Sequence, residues 1–173
     1  MRAFIAIPVE PYGDLLEAVN SLREIKGLKV PKGNILHLTL SFLGDIEEDL
    51  KKDLCEKIPE IQFRKFSLNF DHIGAFPKEG KARVIFAGTP SKEILELHDL
   101  IEEILPRSMI EERKFVAHLT LARTKFPYSI YELKKRYENA DLGTYKVDRV
   151  CLYKSVLRPE GPEYTEMCCN QLM

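Results

Sequence analysis

Apolar residues along this chain fall into short runs suited to strands and longer stripes suited to helices, in regular alternation. The run Ala3-Phe4-Ile5-Ala6-Ile7 predicts a strand, and Leu15, Val19 and Leu22 predict one helical face with Gly27 as its stop. A second strand runs from His37-Leu38-Thr39-Leu40 through Phe42 and Leu43 to Gly44. Asp45 with Glu48 reads as a capping box for a helix whose stripe is Ile46, Leu50, Leu54 and Ile58, interrupted at Pro59. Phe66, Leu68 and Phe70 then alternate with Ser67, Asn69 and Asp71, the period of a half-buried strand.

From Arg83 the pattern starts again. Arg83-Val-Ile-Phe-Ala87 echoes Arg2-Ala-Phe-Ile-Ala6 at an offset of 81 residues. Thr89 as N-cap and Pro90 as first helical residue predict a helix buried through Ile94, Leu97, Ile101 and Ile104. A strand at His118-Leu119-Thr120-Leu121 follows, then a short helix opened by Ser129 and Glu132 with Leu133 and Tyr137, then a strand from Thr144 to Tyr153. Two such strand-helix-strand-helix-strand units predict a duplicated architecture in which two lobes face each other. The expected organisation is one bilobal domain over residues 1–173, with halves of approximately 1–78 and 79–173 and a hinge near Pro77 to Gly80. A tail broken by Pro159, Gly161 and Pro162 ends in a short strand around Tyr164 to Met167.

The repeat places chemistry. Residues two apart in a strand share a face, so each His-Leu-Thr-Leu sets His and Thr on one side and its leucines on the other. One such strand is ordinary, but the chain has four histidines and two of them sit in identical tetrapeptides 81 residues apart. Phosphodiester hydrolysis needs a base, an acid and donors for the non-bridging oxygens, which two imidazoles and two hydroxyls supply. With an unperturbed pKa of about 6.5, one histidine can be neutral while the other is charged near neutral pH. Each motif brings a single His with no carboxylate at ligand spacing, so neither metal nor cofactor is expected. His72, continuing the Phe66, Leu68, Phe70 face, reads as a packed or strand-end histidine, His98 as a helix-surface one.

Composition narrows the partners. A formal net charge of -1 on 173 residues excludes a broad electrostatic grip on long nucleic acid and suits a small or terminal anionic ligand. Cys55, Cys151, Cys168 and Cys169 contain no Cys-x-x-Cys pair and no spacing of a secreted disulfide framework, so structural cysteines in a reducing cytoplasm are expected. The opening apolar run is too short for a signal or membrane-spanning segment.

The extended motifs His37-Leu-Thr-Leu-Ser-Phe-Leu-Gly44 and His118-Leu-Thr-Leu-Ala-Arg123 resemble the RNA 2′,3′-cyclic phosphodiesterase (2′-5′ RNA ligase) family of the two-histidine phosphoesterase superfamily. Supporting pieces are Arg2-Ala-Phe-Ile-Ala6, Gly74-Ala-Phe-Pro77, Arg83 to Gly88 and Gly161-Pro-Glu-Tyr164. The resemblance implies an α+β fold with two antiparallel sheets facing a central cleft and helices outside. It also implies metal-independent opening of a terminal 2′,3′-cyclic phosphate to a 2′-phosphate, with a related capacity for 2′-5′ ligation, acting on RNA ends or nucleotides. A monomer is expected. Carried over, His37 is the proton donor and His118 the proton acceptor, while Thr39 and Thr120 bind substrate. Phe42 and Arg123 occupy positions that contact base or phosphate, with packing or an ion pair between lobes as the other use. Relatives often have an aromatic before the first motif, where Lys29 and Val30 stand here. A non-catalytic module binding nucleotides or RNA ends would share these motifs. A purely structural duplicated domain would need the leucines but not His and Thr.

Overall fold

The apolar run at the start becomes β1 (Arg2–Val9), with Ala3 to Ile7 buried without a break, because it lies between β-strand neighbours on both edges, with Ala3, Ile5 and Ile7 in the main core and Phe4 and Ala6 in a small cluster on the other face. The computed structural model describes residues 1–159 and 161–173. After β1 come α1 (Gly13–Arg23), β2 (Leu28–Lys29), β3 (Leu36–Asp45), α2 (Glu48–Lys57), β4 (Phe66–Asn69) and β5 (His72–Phe76). The second series is β6 (Ala82–Gly88), α3 (Lys92–Glu103), β7 (His118–Tyr128), α4 (Tyr131–Arg136), β8 (Thr144–Val147), β9 (Arg149–Arg158) and β10 (Gly161–Gln171).

The fold is α+β and its strand pairs are antiparallel. The order β10-β9-β1-β3 makes one half-sheet and β7-β6-β5, with β2 also on β7, makes the other. They meet through the single pair Leu38–Leu119 between β3 and β7, and β4 pairs separately with β8. Each half-sheet borrows a strand across the repeat. β5, from the first series, pairs with β6, while β9, from the second, pairs with β1.

One large core lies on the leucine face of the sheet, where Leu36, Leu38, Leu40, Leu119 and Leu121 join Leu15 and Leu22 of α1, Leu54 of α2 and Leu97 of α3. The opposite face carries only a small buried cluster of Phe4, Ala6, Cys151 and Tyr153. Helices therefore cover the side that the leucines select, and the His/Thr side is left open.

Several local expectations change. The N-cap of α3 is Ser91, whose hydroxyl accepts from the Ile94 amide at 3.3 Å, so the helix starts after Thr89 and Pro90. α2 has Glu47 at its N-cap and no side-chain cap bond, so Asp45 and Glu48 form no capping box; Asp45 is held at the end of β3 instead. Ser129 accepts from the Tyr131 amide at 3.4 Å, but Ile130 is the N-cap of α4. The strand expected from Thr144 to Tyr153 divides at Asp148, because β8 pairs with β4 and β9 with β1. β10 is 11 residues long, extended by its full-length pairing with β9. The cysteines, expected without a disulfide framework, are joined as Cys55–Cys168 and Cys151–Cys169. Adjacent residues of β10 point to opposite faces, so Cys168 reaches α2 while Cys169 reaches its register partner on β9. No helix among the described residues is long and apolar enough to cross a membrane.

Candidate active site

Strand alternation sorts the two tetrapeptides as their composition requires. Leu38, Leu40, Leu119 and Leu121 are buried, whereas His37, Thr39, His118 and Thr120 are half-buried on the other face. Counting outward from the Leu38–Leu119 pair, His37 lies across from Thr120 and Thr39 across from His118. The imidazoles are thus diagonal neighbours, a relation that sets side chains roughly 7–8 Å apart in an antiparallel pair. All four groups stand where the two half-sheets touch.

A bulge follows each motif at the same place. On β3, Ser41 pairs with Ile5 and Thr39 with Ala6, which leaves Leu40 extra; on β7, Ala122 pairs with Ile85 and Thr120 with Phe86, which leaves Leu121 extra. An extra residue reverses the alternation beyond it. Phe42 and Arg123 consequently emerge on the His/Thr face, both exposed, while Leu43 and Ala122 turn to the core. Arg123 also pairs in register with Lys29 of β2, which sets two cations side by side at this edge.

Each imidazole is walled by aromatic rings. Tyr153, Tyr164 and Phe4 meet His37 edge-on, with centroids at 4.5, 5.1 and 5.9 Å. Phe76 and Phe86 do the same for His118 at 5.2 and 5.5 Å. Tyr153 and Phe76 come from the borrowed strands β9 and β5, so each histidine is packed by the other repeat. Gly74 has no side chain because a Cβ there would fall 2.6 Å from Phe86 Cζ. Sequence reasoning missed these rings as site residues, although Phe76 and Tyr164 lie in segments that carried the family resemblance.

These walls bear on proton affinity. Burial and then the Arg149 guanidinium lower the pKa of His37 to about 4. Arg149 is itself ion-paired with Glu166 at 2.7 Å, and the Tyr153 hydroxyl donates to the same carboxylate at 3.3 Å. Burial also lowers His118; its Nδ1–H donates to the Val116 carbonyl at 2.8 Å, which opposes that shift, and Arg123 adds to it. The Nδ1 bond fixes the His118 tautomer and leaves Nε2 as the proton acceptor. Among the described residues neither Thr39 nor Thr120 has an intramolecular hydrogen bond to its hydroxyl.

A cavity of about 450 Å³ opens beside His37, between residues 31–35 and strands β9 and β10. His118 does not line it. Of the remaining histidines, His72 lies in register with His118 across Gly88 and meets Phe86, a ring shared with His118, at 6.2 Å, whereas His98 belongs to α3. His72, at the start of β5, pairs with Asp71, and His98 is shielded by Phe115, stacked at 4.0 Å, rather than exposed on its helix. Among the described residues no cluster of metal-ligating atoms includes His37 or His118.

A family model described as LigT like Phosphoesterase matches residues 5–86 and 88–164. The chain is 34% identical to an RNA 2′,3′-cyclic phosphodiesterase of Methanocaldococcus jannaschii over 95% of its own length and 96% of the relative's. It is 30% identical to the Archaeoglobus fulgidus protein of the same name, with 96% and 98% covered. A crystal structure from Thermus thermophilus superposes with a TM-score of 0.78 at 28% identity, covering 99% of this chain and 98% of that one. With both repeats matched and such a relative aligned nearly end to end, the chain belongs to the LigT-like phosphoesterase family.

Proposed function

We propose that this chain is an RNA 2′,3′-cyclic phosphodiesterase that opens a terminal cyclic phosphate to a 2′-phosphate without a metal or other cofactor. The observation that carries the reading is the crossing of two His/Thr pairs on one open face, diagonal about Leu38–Leu119. The names of the full-length relatives support it.

In this reading the cyclic phosphate lies between the imidazoles. His118 Nε2 takes a proton from water as its oxygen attacks phosphorus; the bond from phosphorus to the 3′ oxygen breaks, and His37 gives that oxygen a proton. The products are a 2′-phosphate and a 3′-hydroxyl, and exchange with solvent restores both rings. Thr39 and Thr120 donate to the non-bridging oxygens as charge builds on them. Phe42 and Arg123 flank the same face and contact base and phosphate. Replacing water by a 5′-hydroxyl gives 2′-5′ ligation through the same steps.

With a pKa of about 4, His37 is neutral at pH 7 in the free protein. It therefore takes up a proton from solvent as the substrate binds, because a phosphate anion beside the ring stabilises imidazolium. Bilobal residues 1–173 act as a monomer in the cytoplasm in this reading. The two disulfides are unusual for a reducing compartment outside hyperthermophiles.

The test is hydrolysis of RNA ending in a 2′,3′-cyclic phosphate, with EDTA present and the product isomer identified. Expected is a 2′-phosphate, formed at an unchanged rate under chelation and lost in His37→Ala and His118→Ala. Binding of the RNA end with no turnover would assign the cleft to a non-catalytic module. Loss of turnover with EDTA and its return with a divalent ion would replace the mechanism by metal-assisted hydrolysis.

A further inference from the structure

The cavity beside His37 is lined by none of His118, Thr39, Thr120, Phe42 or Arg123. Of the reacting groups only His37 lines it, and its volume lies within the range of about 300–1,000 Å³ typical of small-molecule sites. Its walls mix ring, aliphatic and charged groups. Tyr164 and Ile35 are 37% and 43% exposed there, so a ring and an aliphatic side chain are both accessible from the cavity. Lys32 and Asn34 stand on the loop side and Arg158 and Glu163 on the strand side. Arg158 is paired with Glu163 at 3.1 Å, whereas Lys32 has no ion pair among the described residues. Lys29 and Arg123 continue the positive edge along β2 and β7. Tyr164 connects the cavity to the reacting face because its ring meets both His37 and Phe4.

An exposed aromatic, an aliphatic wall and a cation are elements by which proteins hold single-stranded nucleic acid: bases stack on the ring and the charge follows the backbone. We propose that this cavity holds a second nucleoside, the one immediately 5′ to the cyclic-phosphate end of an RNA chain, with Tyr164 and Ile35 against its base and Lys32 at the phosphate that joins the two residues. The inference rests on the proposed phosphodiesterase reading, since it takes the cyclic phosphate to lie between His37 and His118. From there the chain's 5′ side must leave past one imidazole, and the cavity lies past His37. The enzyme is then built for RNA ends in preference to free cyclic mononucleotides, although its net charge is -1.

Equilibrium binding tests this without turnover. Calorimetry compares a nucleoside 2′-phosphate, the same compound carrying a 5′-phosphate, and a dinucleotide ending in that nucleoside 2′-phosphate. Expected is binding of the dinucleotide at least tenfold tighter than either mononucleotide. Tyr164→Ala should remove a factor of roughly 5 to 150 from that advantage, the range for loss of a base stack. Lys32→Ala should weaken dinucleotide binding and reduce the slope of log affinity against log salt by about 0.7, one phosphate contact on a single strand. Ile35→Ala, on an exposed loop, reads the base contact independently should Tyr164→Ala disturb the fold. Equal affinity for all three ligands would overturn the proposal, as would capture of the whole gain by the 5′-phosphorylated mononucleotide, which would make the cavity a phosphate site only. Failure of the phosphodiesterase reading shows separately, as absence of hydrolysis of any 2′,3′-cyclic phosphate.

Discussion

Phe42 and Arg123 stand in equivalent positions of the two repeats, each five residues beyond its histidine and each brought onto the reacting face by one extra residue in the strand. Without the bulges at Leu40 and Leu121, both would point into the leucine core. That would bury an arginine charge and leave the cleft flanked only by small groups. A phenylalanine in one repeat and an arginine in the other make one flank aromatic and the other charged.

The first prediction concerns this pair. Arg123→Met should lower kcat/KM about 10- to 150-fold, the loss of a charge-assisted hydrogen bond worth roughly 1.5–3 kcal/mol. Phe42→Ala should cost a similar amount if a base stacks on its ring, about 1–3 kcal/mol. Both side chains are exposed, so the melting temperature should move little. A large fall in melting temperature with unchanged kinetics would assign them to packing instead.

The histidines should dominate the rate. His37→Ala and His118→Ala are each expected to cost on the order of 10² to 10⁴, and Thr39→Ala or Thr120→Ala less. A substrate whose 3′ leaving oxygen is replaced by sulfur separates the roles, since that group departs with little need for a proton. His37→Ala should then be largely rescued and His118→Ala should remain slow. Rescue of His118→Ala alone would reverse the assignment of donor and acceptor.

The pH dependence follows from the two lowered pKa values. His37 carries its proton in the free protein only below about pH 4, while His118 becomes a free base only above its own pKa, which lies below 6.5. The competent state, with His37 charged and His118 neutral, is most populated between these values. The maximum of kcat/KM should therefore fall on the acid side of 6.5. Arg149→Gln removes a cation from beside His37 and leaves Glu166 unpaired, so the His37 pKa rises and the maximum moves to higher pH. A maximum above pH 7 in the unmodified enzyme would rule out this protonation scheme.

Reduction should destabilise the fold. Cys55–Cys168 spans 113 residues and Cys151–Cys169 spans 18, and constraint of the unfolded chain by such links is worth about 3–5 kcal/mol each in the chain-entropy model. Both involve β10, which carries Tyr164 and Glu166, so the wall of the His37 half-site should loosen with them. A fall in melting temperature with a phosphine reductant checks this. Four titratable thiols in the folded, unreduced protein would show that the links do not form.

What the sequence determined by itself is what alternation and repetition encode locally. His37 and Thr39 share a face opposite Leu38 and Leu40 because a strand has period two, and the same tetrapeptide 81 residues later declares a second half-site. The four main helices follow from stripes such as Ile94, Leu97 and Ile101, where burial needs only a 3.6-residue spacing. The tertiary structure decided everything that depends on a partner strand. The bulge residues Leu40 and Leu121 look like any others in their runs, and only the register with β1 and β6 makes them extra. The exchange of β5 and β9, and with it the packing of Phe76 on His118 and Tyr153 on His37, joins residues far apart in the chain. The cysteine pairs likewise depend on how β10 lies against β9 and α2, a placement no spacing along the chain encodes. His98 read as a surface residue because its own helix cannot reveal that Phe115 will stack on it. Local periodicity is a property of neighbours in sequence, whereas register, exchange and desolvation are set by surfaces that meet only when the chain has folded.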